Sequence, residues 1–195
     1  MHKLYALLYH RVYAETLPVT VAAPLEVLSL FMRAGSLAPM LRPTIDSLAP
    51  TSLPMQVDSL ATTAGRAGED RMGVQRGARR DPADQGRPGL YVRAVPGDDA
   101  FAVYDGTALT QATDDQTITL TITPGSVYAL GAVFEVIAAP TISGVMDGDA
   151  PLAAVKDPAA LELAETGWVY SAALGGTLHI KVGPGTHTLT ATLAP

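Results

Sequence analysis

The chain contains no cysteine, and this absence excludes disulfide bonds and thiolate metal sites. Long hydrophobic runs are missing too. No apolar stretch approaches the roughly 20 residues that span a bilayer, so we predict no membrane partner. The apolar run Leu4–Tyr9 stops at His10, short of the about 7–15 residues of a secretory signal core. We therefore expect no signal peptide, and the sequence leaves the cellular compartment open.

Acidic residues outnumber basic ones, and the formal net charge is −6. Proteins that bind nucleic acid in general present a basic surface, so we predict no nucleic-acid partner. The chain has 195 residues, of which 48% are hydrophobic and 16% are charged. This composition is typical of a globular protein, and the length suits one ordinary domain or two small sandwiches.

Composition divides the chain into three parts, 1–60, 61–89 and 90–195. The first part ends in a connector over 39–58 that contains four prolines, which neither donate to a β-ladder nor continue a helix. The second part is rich in arginine and glycine and has few apolar residues, so we predict a mobile loop. It reads either as an inserted loop or as the product of a shifted reading frame.

The third part shows the alternation of short β-strands. Thr117–Thr123 places Ile118, Leu120 and Ile122 on one face, as in a half-buried strand. Val127–Ile137 is apolar on both faces, which predicts a central strand. Further strands are predicted over Tyr91–Val95 and over Phe101–Tyr104 before the turn dipeptide Asp105-Gly106, and a short helix is predicted over Pro158–Glu165.

The last two strands form a hairpin in this interpretation. With 183–186 as its loop, Val182 lies opposite His187, Ile180 opposite Leu189 and Leu178 opposite Ala191. This register puts every large aliphatic side chain on one face. The predicted fold class is all-β, an antiparallel β-sandwich architecture with a partial N-terminal sandwich in 1–60 and a complete C-terminal one in 90–195.

The segment Val19–Pro39 reads VTVAAPLEVLSLFMRAGSLAP. It resembles the segment that follows the catalytic barrel in glycoside hydrolase family 31, the α-glucosidase and α-xylosidase family. Ala100–Gly106 resembles a hairpin of that family's distal C-terminal sandwich, and Gly131–Val136 and Gly176–Val182 are similar to its later strands. The resemblance implies the proximal and distal C-terminal β-sandwiches of an enzyme that hydrolyses α-glycosidic bonds.

The resemblance also implies a partner. Only 18 residues precede the matching segment, so we expect the catalytic barrel to be missing from this chain. In the family, the segment matching 19–41 lies close to that barrel. The expected partners are therefore a catalytic barrel domain or, through 19–41, a second copy of the chain.

The carboxylates of the chain do not form a recognisable catalytic pair. Glycoside hydrolysis uses two carboxylates about 5–9.5 Å apart, and the family's nucleophile motif Trp-Xaa-Asp-Met-Asn-Glu has no counterpart. Asp98-Asp99, Asp114-Asp115 and Asp147-Gly148-Asp149 stand in turn-like contexts. Glu135 lies within a predicted strand and is interpreted as a sheet-edge or interface acid. We therefore predict no catalytic residue and no cofactor.

Metal binding is not predicted either. Asp147 and Asp149 supply too few oxygens for calcium, which takes six to eight. His179 and His187 fall on opposite faces of the predicted hairpin and cannot share an ion. We interpret His187 as a strand-end residue whose ring is hydrogen-bonded to backbone.

Two aromatic residues remain as candidates for carbohydrate binding. Trp168 and Tyr170 alternate on one strand face, where they form either core or a platform for sugar rings. The leading hypothesis is a non-catalytic C-terminal β-sandwich portion of a family 31-like glycosidase. The alternatives are a free-standing carbohydrate-binding module and a structural β-sandwich protein of a cell surface or virion.

Overall fold

The computed structural model describes residues 4–6, 11–13, 31–40 and 89–195. Residues 41–58 of the predicted Pro-rich connector, nearly all of the predicted mobile loop and residues 19–30 of the family-like segment lie outside these ranges. Pro39 and Met40, predicted as the start of the connector, belong instead to the strand Leu37–Met40. The elements in chain order are β1 Leu4–Ala6, β2 Arg11–Tyr13, β3 Phe31–Arg33, β4 Leu37–Met40, β5 Leu90–Ala94, β6 Asp99–Ala102, β7 Ala108–Thr113, β8 Thr117–Thr123, β9 Ala132–Ile137, β10 Ile142–Asp147, β11 Ala150–Pro151, α1 Pro158–Leu163, β12 Gly167–Ser171, β13 Thr177–Val182 and β14 His187–Leu193.

Two sheets form a β-sandwich. One has six strands in the order β11-β10-β14-β8-β7-β6, and the other has five in the order β12-β13-β9-β5-β4. Among the described strands, all pairs are antiparallel except β5 and β9, which run parallel. A third, small sheet has the order β2-β1-β3. The predicted all-β, antiparallel sandwich class is confirmed.

The core fills the space between the two large sheets. Alternate residues of each strand point into this core. In β8, Ile118, Leu120 and Ile122 are fully buried, while the threonines between them face outward.

Strand β9 lies between β13 and β5 in its sheet and is buried along its whole length. One of its faces belongs to the core, while on the other Ile137 packs with Met32 and Val95. The predicted central strand is thus confirmed, although it begins at Ala132 rather than at Val127.

The predicted pairing of the last two strands is wrong. Strand β13 pairs with β12 and β9, whereas β14 pairs with β10 and β8 in the opposite sheet. Ile180 and Leu189 are both fully buried, so the predicted faces are right. The error has a physical reason: two strands that face each other across a sandwich bury the same alternate positions as two strands that pair in one sheet.

The segment 31–40 joins the small sheet to the sandwich. Strand β3 pairs with β1, and β4 pairs with β5. Between them the backbone turns at Gly35, whose φ is +77°, and Ser36 donates from its hydroxyl to the Arg33 carbonyl at 2.6 Å. The described residues include no helix long and apolar enough to cross a bilayer.

Candidate functional site

The outer face of the five-stranded sheet carries a row of charged side chains. Arg93 of β5 lies beside Glu135 of β9, and Glu135 lies beside His179 of β13. Because β9 has a neighbour on each side, the interpretation of Glu135 as a sheet-edge acid is wrong. Its interpretation as an interface acid stays a prediction.

Glu135 is held by several contacts. Its Oε2 accepts hydrogen bonds from Arg93 Nε at 2.6 Å and from the Tyr91 hydroxyl at 3.0 Å. Its Oε1 lies 3.8 Å from His179 Nε2. The side chain retains only 11% of its accessible surface. Charge-assisted bonds of this kind fix a carboxylate in position, so Glu135 serves the structure of this face.

His179 is the titratable member of the row. Its Nδ1 is buried and has no hydrogen-bond partner among the described residues. Burial lowers the pKa of His179 below its ordinary value, and the charge of Arg93 lowers it further, while the carboxylates of Glu135 and Glu162 act to raise it. The net direction is downward because burial penalises the charged imidazolium.

Helix α1 covers the neighbouring part of this face. Asp157 caps its first turn by accepting from Ala160 N at 2.7 Å. The buried Lys181 of β13 donates from Nζ to the carbonyl of Glu162 at 2.8 Å, where the helix ends and its carbonyls need donors. A cavity of about 240 Å³ lies between α1 and the sheet, bordered by Tyr91, His179 and Lys181 among others.

Aspartates hold strands and turns together. Asp114 does so within a turn, as predicted, whereas Asp99 lies in β6 and contacts a distant strand. Asp99 accepts from Leu37 N at 2.9 Å, and Asp98 accepts from Thr113 N at 3.1 Å. Asp114 accepts from Gln116 N and Thr117 N, and these bonds lower its pKa. Their carboxylates therefore have structural roles in the connections.

Asp105 organises the largest of these connections. Its carboxylate accepts from the backbone N of Thr107, Val127 and Tyr128 at 2.9–3.0 Å, and from the Thr107 hydroxyl. Burial acts to raise the pKa of Asp105, but the hydrogen bonds together hold it below its ordinary value. One carboxylate thus ties the β6–β7 turn to the segment that precedes β9.

His179 and His187 lie in different sheets, on β13 and β14. His187 has its Nδ1 2.6 Å from Asp147 Oδ2 and its Nε2 3.0 Å from the Gly183 carbonyl. Backbone contributes one of these two contacts, as predicted, and the aspartate contributes the other. No group of three histidine, aspartate or glutamate side chains in the described ranges is arranged to hold a metal ion.

The two aromatic residues singled out in the sequence face the interior. Trp168 and Tyr170 are paired with the fully buried Ile180 and Leu178, and both pack against the core. Their polar atoms donate to carbonyls, Trp168 Nε1 to Leu152 at 3.1 Å and the Tyr170 hydroxyl to Ala139 at 3.4 Å. Carbohydrate binding by this pair stays a prediction, and it would use the part of each ring that remains accessible.

Other aromatic side chains are more exposed. Tyr104 is 75% exposed and Phe101 is 43% exposed. They border a groove of about 430 Å³ together with Met40 and Tyr128. The Tyr104 and Tyr128 rings meet edge to face, with centroids 6.2 Å apart. The sequence did not predict this groove. Phe101 and Tyr104 belong to the family-like hairpin, but the other walls come from β4 and from the segment before β9, which are distant in sequence.

The fold of the chain is similar to that of parts of two bacterial carbohydrate-active enzymes. A cycloalternan-forming enzyme from Listeria monocytogenes, solved with a pentasaccharide substrate, matches 97% of the chain with a TM-score of 0.66 at 16% identity. A family 31 dextranase from Flavobacterium johnsoniae, solved with glucose, matches 97% with a TM-score of 0.62 at 15% identity.

The chain spans only 16% and 23% of these two enzymes. It therefore corresponds to a β-sandwich portion of them, and the resemblance to glycoside hydrolase family 31 is confirmed at the level of fold. Comparisons with protein-family models and with curated proteins gave no match.

Proposed function

We propose that the chain is a non-catalytic β-sandwich portion of a family 31-like glycosidase. The observation that carries the proposal is the fold likeness, which covers nearly the whole chain but less than a quarter of each enzyme. The catalytic barrel expected of the family is not part of the sandwich described here. The parent activity would be hydrolysis of α-glycosidic bonds.

The chemistry of the described carboxylates supports this proposal. A glycosidase needs one carboxyl group to protonate the leaving oxygen and a second to act as nucleophile or base. Glu135 is paired with Arg93 at 2.6 Å, while Asp99, Asp105 and Asp114 accept backbone hydrogen bonds. Each of these carboxylates is thus engaged in contacts within the sandwich.

The charged row on the outer face gives the sandwich a means of bracing a neighbouring domain. Arg93 and His179 each retain 22% of their side-chain surface, so a partner can reach them without displacing the core. Polar groups set the orientation at such contacts more than they add affinity. In this proposal the barrel, or another part of a longer protein, is that partner.

Activity of the purified chain tests the proposal. We expect no hydrolysis of aryl α-glucosides or α-xylosides above the rate in buffer. The matched variant is Glu135→Gln, with its fold checked by circular dichroism. Turnover by the chain that this variant or another single carboxylate substitution abolishes would contradict the non-catalytic role.

A further inference from the structure

The groove beside Tyr104 has the properties of a binding site. Its volume of about 430 Å³ lies within the range of about 300–1,000 Å³ that is usual for small-molecule sites. Aromatic rings and aliphatic side chains form most of its walls, and none of the described residues that line it is charged. Such a lining favours a neutral ligand with apolar faces.

The turn that presents Tyr104 is rigid although its side chain is exposed. Two backbone hydrogen bonds close the turn. Val103 N donates to the Thr107 carbonyl at 2.8 Å, and Gly106 N donates to the Val103 carbonyl at 3.0 Å. The carboxylate of Asp105 accepts two hydrogen bonds from Thr107 within the turn. It accepts two more from the backbone N of Val127 and Tyr128, and these fix the turn to the segment before β9. A ligand that meets Tyr104 therefore does not have to order the loop, and preorganisation lowers the cost of binding.

The two tyrosines also supply polar groups. Their rings are arranged edge to face. Burial raises the pKa of Tyr128, and a hydrogen bond with Tyr104 raises it further, so the phenol stays protonated at neutral pH. The groove thus combines an exposed aromatic face with hydroxyl groups that both donate and accept.

We propose that this groove binds a neutral gluco-oligosaccharide, which stacks a sugar ring on Tyr104 and contacts Phe101 with its C–H faces. A pyranose has an apolar face and a rim of hydroxyls, and this matches the ring of Tyr104 and the tyrosine hydroxyls. The choice of glucose units rests on the proposed function. Trp168 and Tyr170, which face the core, are not needed for it.

Titration of the full chain with isomaltotriose, followed by saturation-transfer NMR and calorimetry, tests the proposal. For so small a ligand we expect a Kd on the order of 1 mM, about −4 kcal/mol. Tyr104→Ala should weaken binding at least tenfold and Phe101→Ala severalfold. Leu163→Ala is the matched control, because Leu163 is 77% exposed on α1, and it should leave the Kd unchanged. Sorbitol, a polyol without a ring face, should not bind.

Two results would overturn the proposal. One is absence of isomaltotriose binding by the folded chain, and the other is binding that survives Tyr104→Ala and is lost on Tyr170→Phe. Loss of self-association in Tyr104→Ala without sugar binding would assign the groove to a protein interface instead. Neither result touches the non-catalytic role, since hydrolysis is measured separately.

Discussion

Gly35 and Gly97 meet backbone to backbone where the small sheet joins the sandwich. A β-carbon on Gly97 would lie 2.3 Å from the Cα of Gly35, far inside van der Waals contact. Gly35 N donates to the Pro96 carbonyl at 3.1 Å, and the Ser36 carbonyl accepts from Val95 N at 3.0 Å. This contact explains the glycine at 97. Gly35 stands in the Arg-Ala-Gly-Ser part of the family-like segment, where its φ of +77° and a distance of only 3.3 Å from a β-carbon placed on it to Asp98 N favour glycine.

Gly97→Ala should therefore destabilise the chain strongly. The new methyl group collides with Gly35 backbone, which cannot move without breaking the two hydrogen bonds, and the φ of +148° is strained for alanine. We expect a loss of about 3–5 kcal/mol in the free energy of unfolding, measured by urea denaturation. Gly106→Ala is the control for backbone strain alone, since it has a φ of +89° and nothing within 4 Å of its β-carbon. Equal losses in the two variants would contradict the contact.

Asp105 should stabilise the chain as an anion. Its folded pKa is lowered, so its contribution is fully present above the unfolded value of about 3.9 and disappears as the pH falls through the folded pKa. Asp105→Asn should cost about 1–3 kcal/mol at neutral pH because an amide oxygen satisfies fewer of the four donors. Thermal denaturation across acidic pH measures both effects. The exposed Asp115→Asn should stay within about 0.5 kcal/mol of the parent, and an equal effect there would argue against the role of Asp105.

His179 should make the free energy of unfolding depend on pH between neutral pH and its own folded pKa. Its folded pKa is lowered, so below the unfolded value of about 6.5 the unfolded state binds more protons than the folded state. The free energy of unfolding then decreases as the pH falls from neutral toward the folded pKa, by at most about 1.4 kcal/mol per pH unit for one proton. His179→Gln should flatten the profile in this window. A profile that is unchanged in the variant would show that the buried imidazole is not the cause.

The sequence predicts the faces of strands better than their partners. Leu178, Ile180 and Leu189 are buried as alternation requires, because each strand's period is a local property. Which sheet β13 and β14 enter depends on β9 and β8, which are distant in sequence, and the β13–β14 hairpin was mispredicted for that reason. A helix is predicted over Pro158–Glu165 from its own residues, and α1 runs over Pro158–Leu163. The Asp157 cap and the first-turn proline that begin it are local features.

In the candidate site, too, the sequence predicts local features of a residue but not its contacts with other strands. Glu135 was recognised as an acid within a strand, but its contacts with Arg93 and His179 depend on the parallel pairing of β5 with β9 and the antiparallel pairing of β9 with β13. The burial of Lys181 depends on α1, whose carbonyls at Leu161 and Glu162 accept from its Nζ, and the local sequence does not specify where this helix packs. Phe101 and Tyr104 are predicted as the two ends of one strand, but β6 runs over Asp99–Ala102 and Tyr104 lies in the turn that follows. The exposure of Phe101 depends on the position of β6 at the end of its sheet, which the local sequence does not specify.

Self-association through 19–41 remains a proposal, and β3 gives it a physical basis within the described part of that segment. Among the described strands, β3 is an outer strand of the small sheet, and Phe31 on it is 42% exposed. An outer strand can recruit a further strand, and the exposed Phe31 favours this, whereas the exposed Arg33 on the same strand opposes it. We expect the chain to associate as its concentration rises in sedimentation velocity, and Phe31→Lys to shift it toward monomer. Leu163→Lys is the control, because it removes a more exposed apolar side chain from a helix and leaves β3 intact. A chain that is monomeric at every concentration, or equal dissociation by both substitutions, would rule out association through this strand.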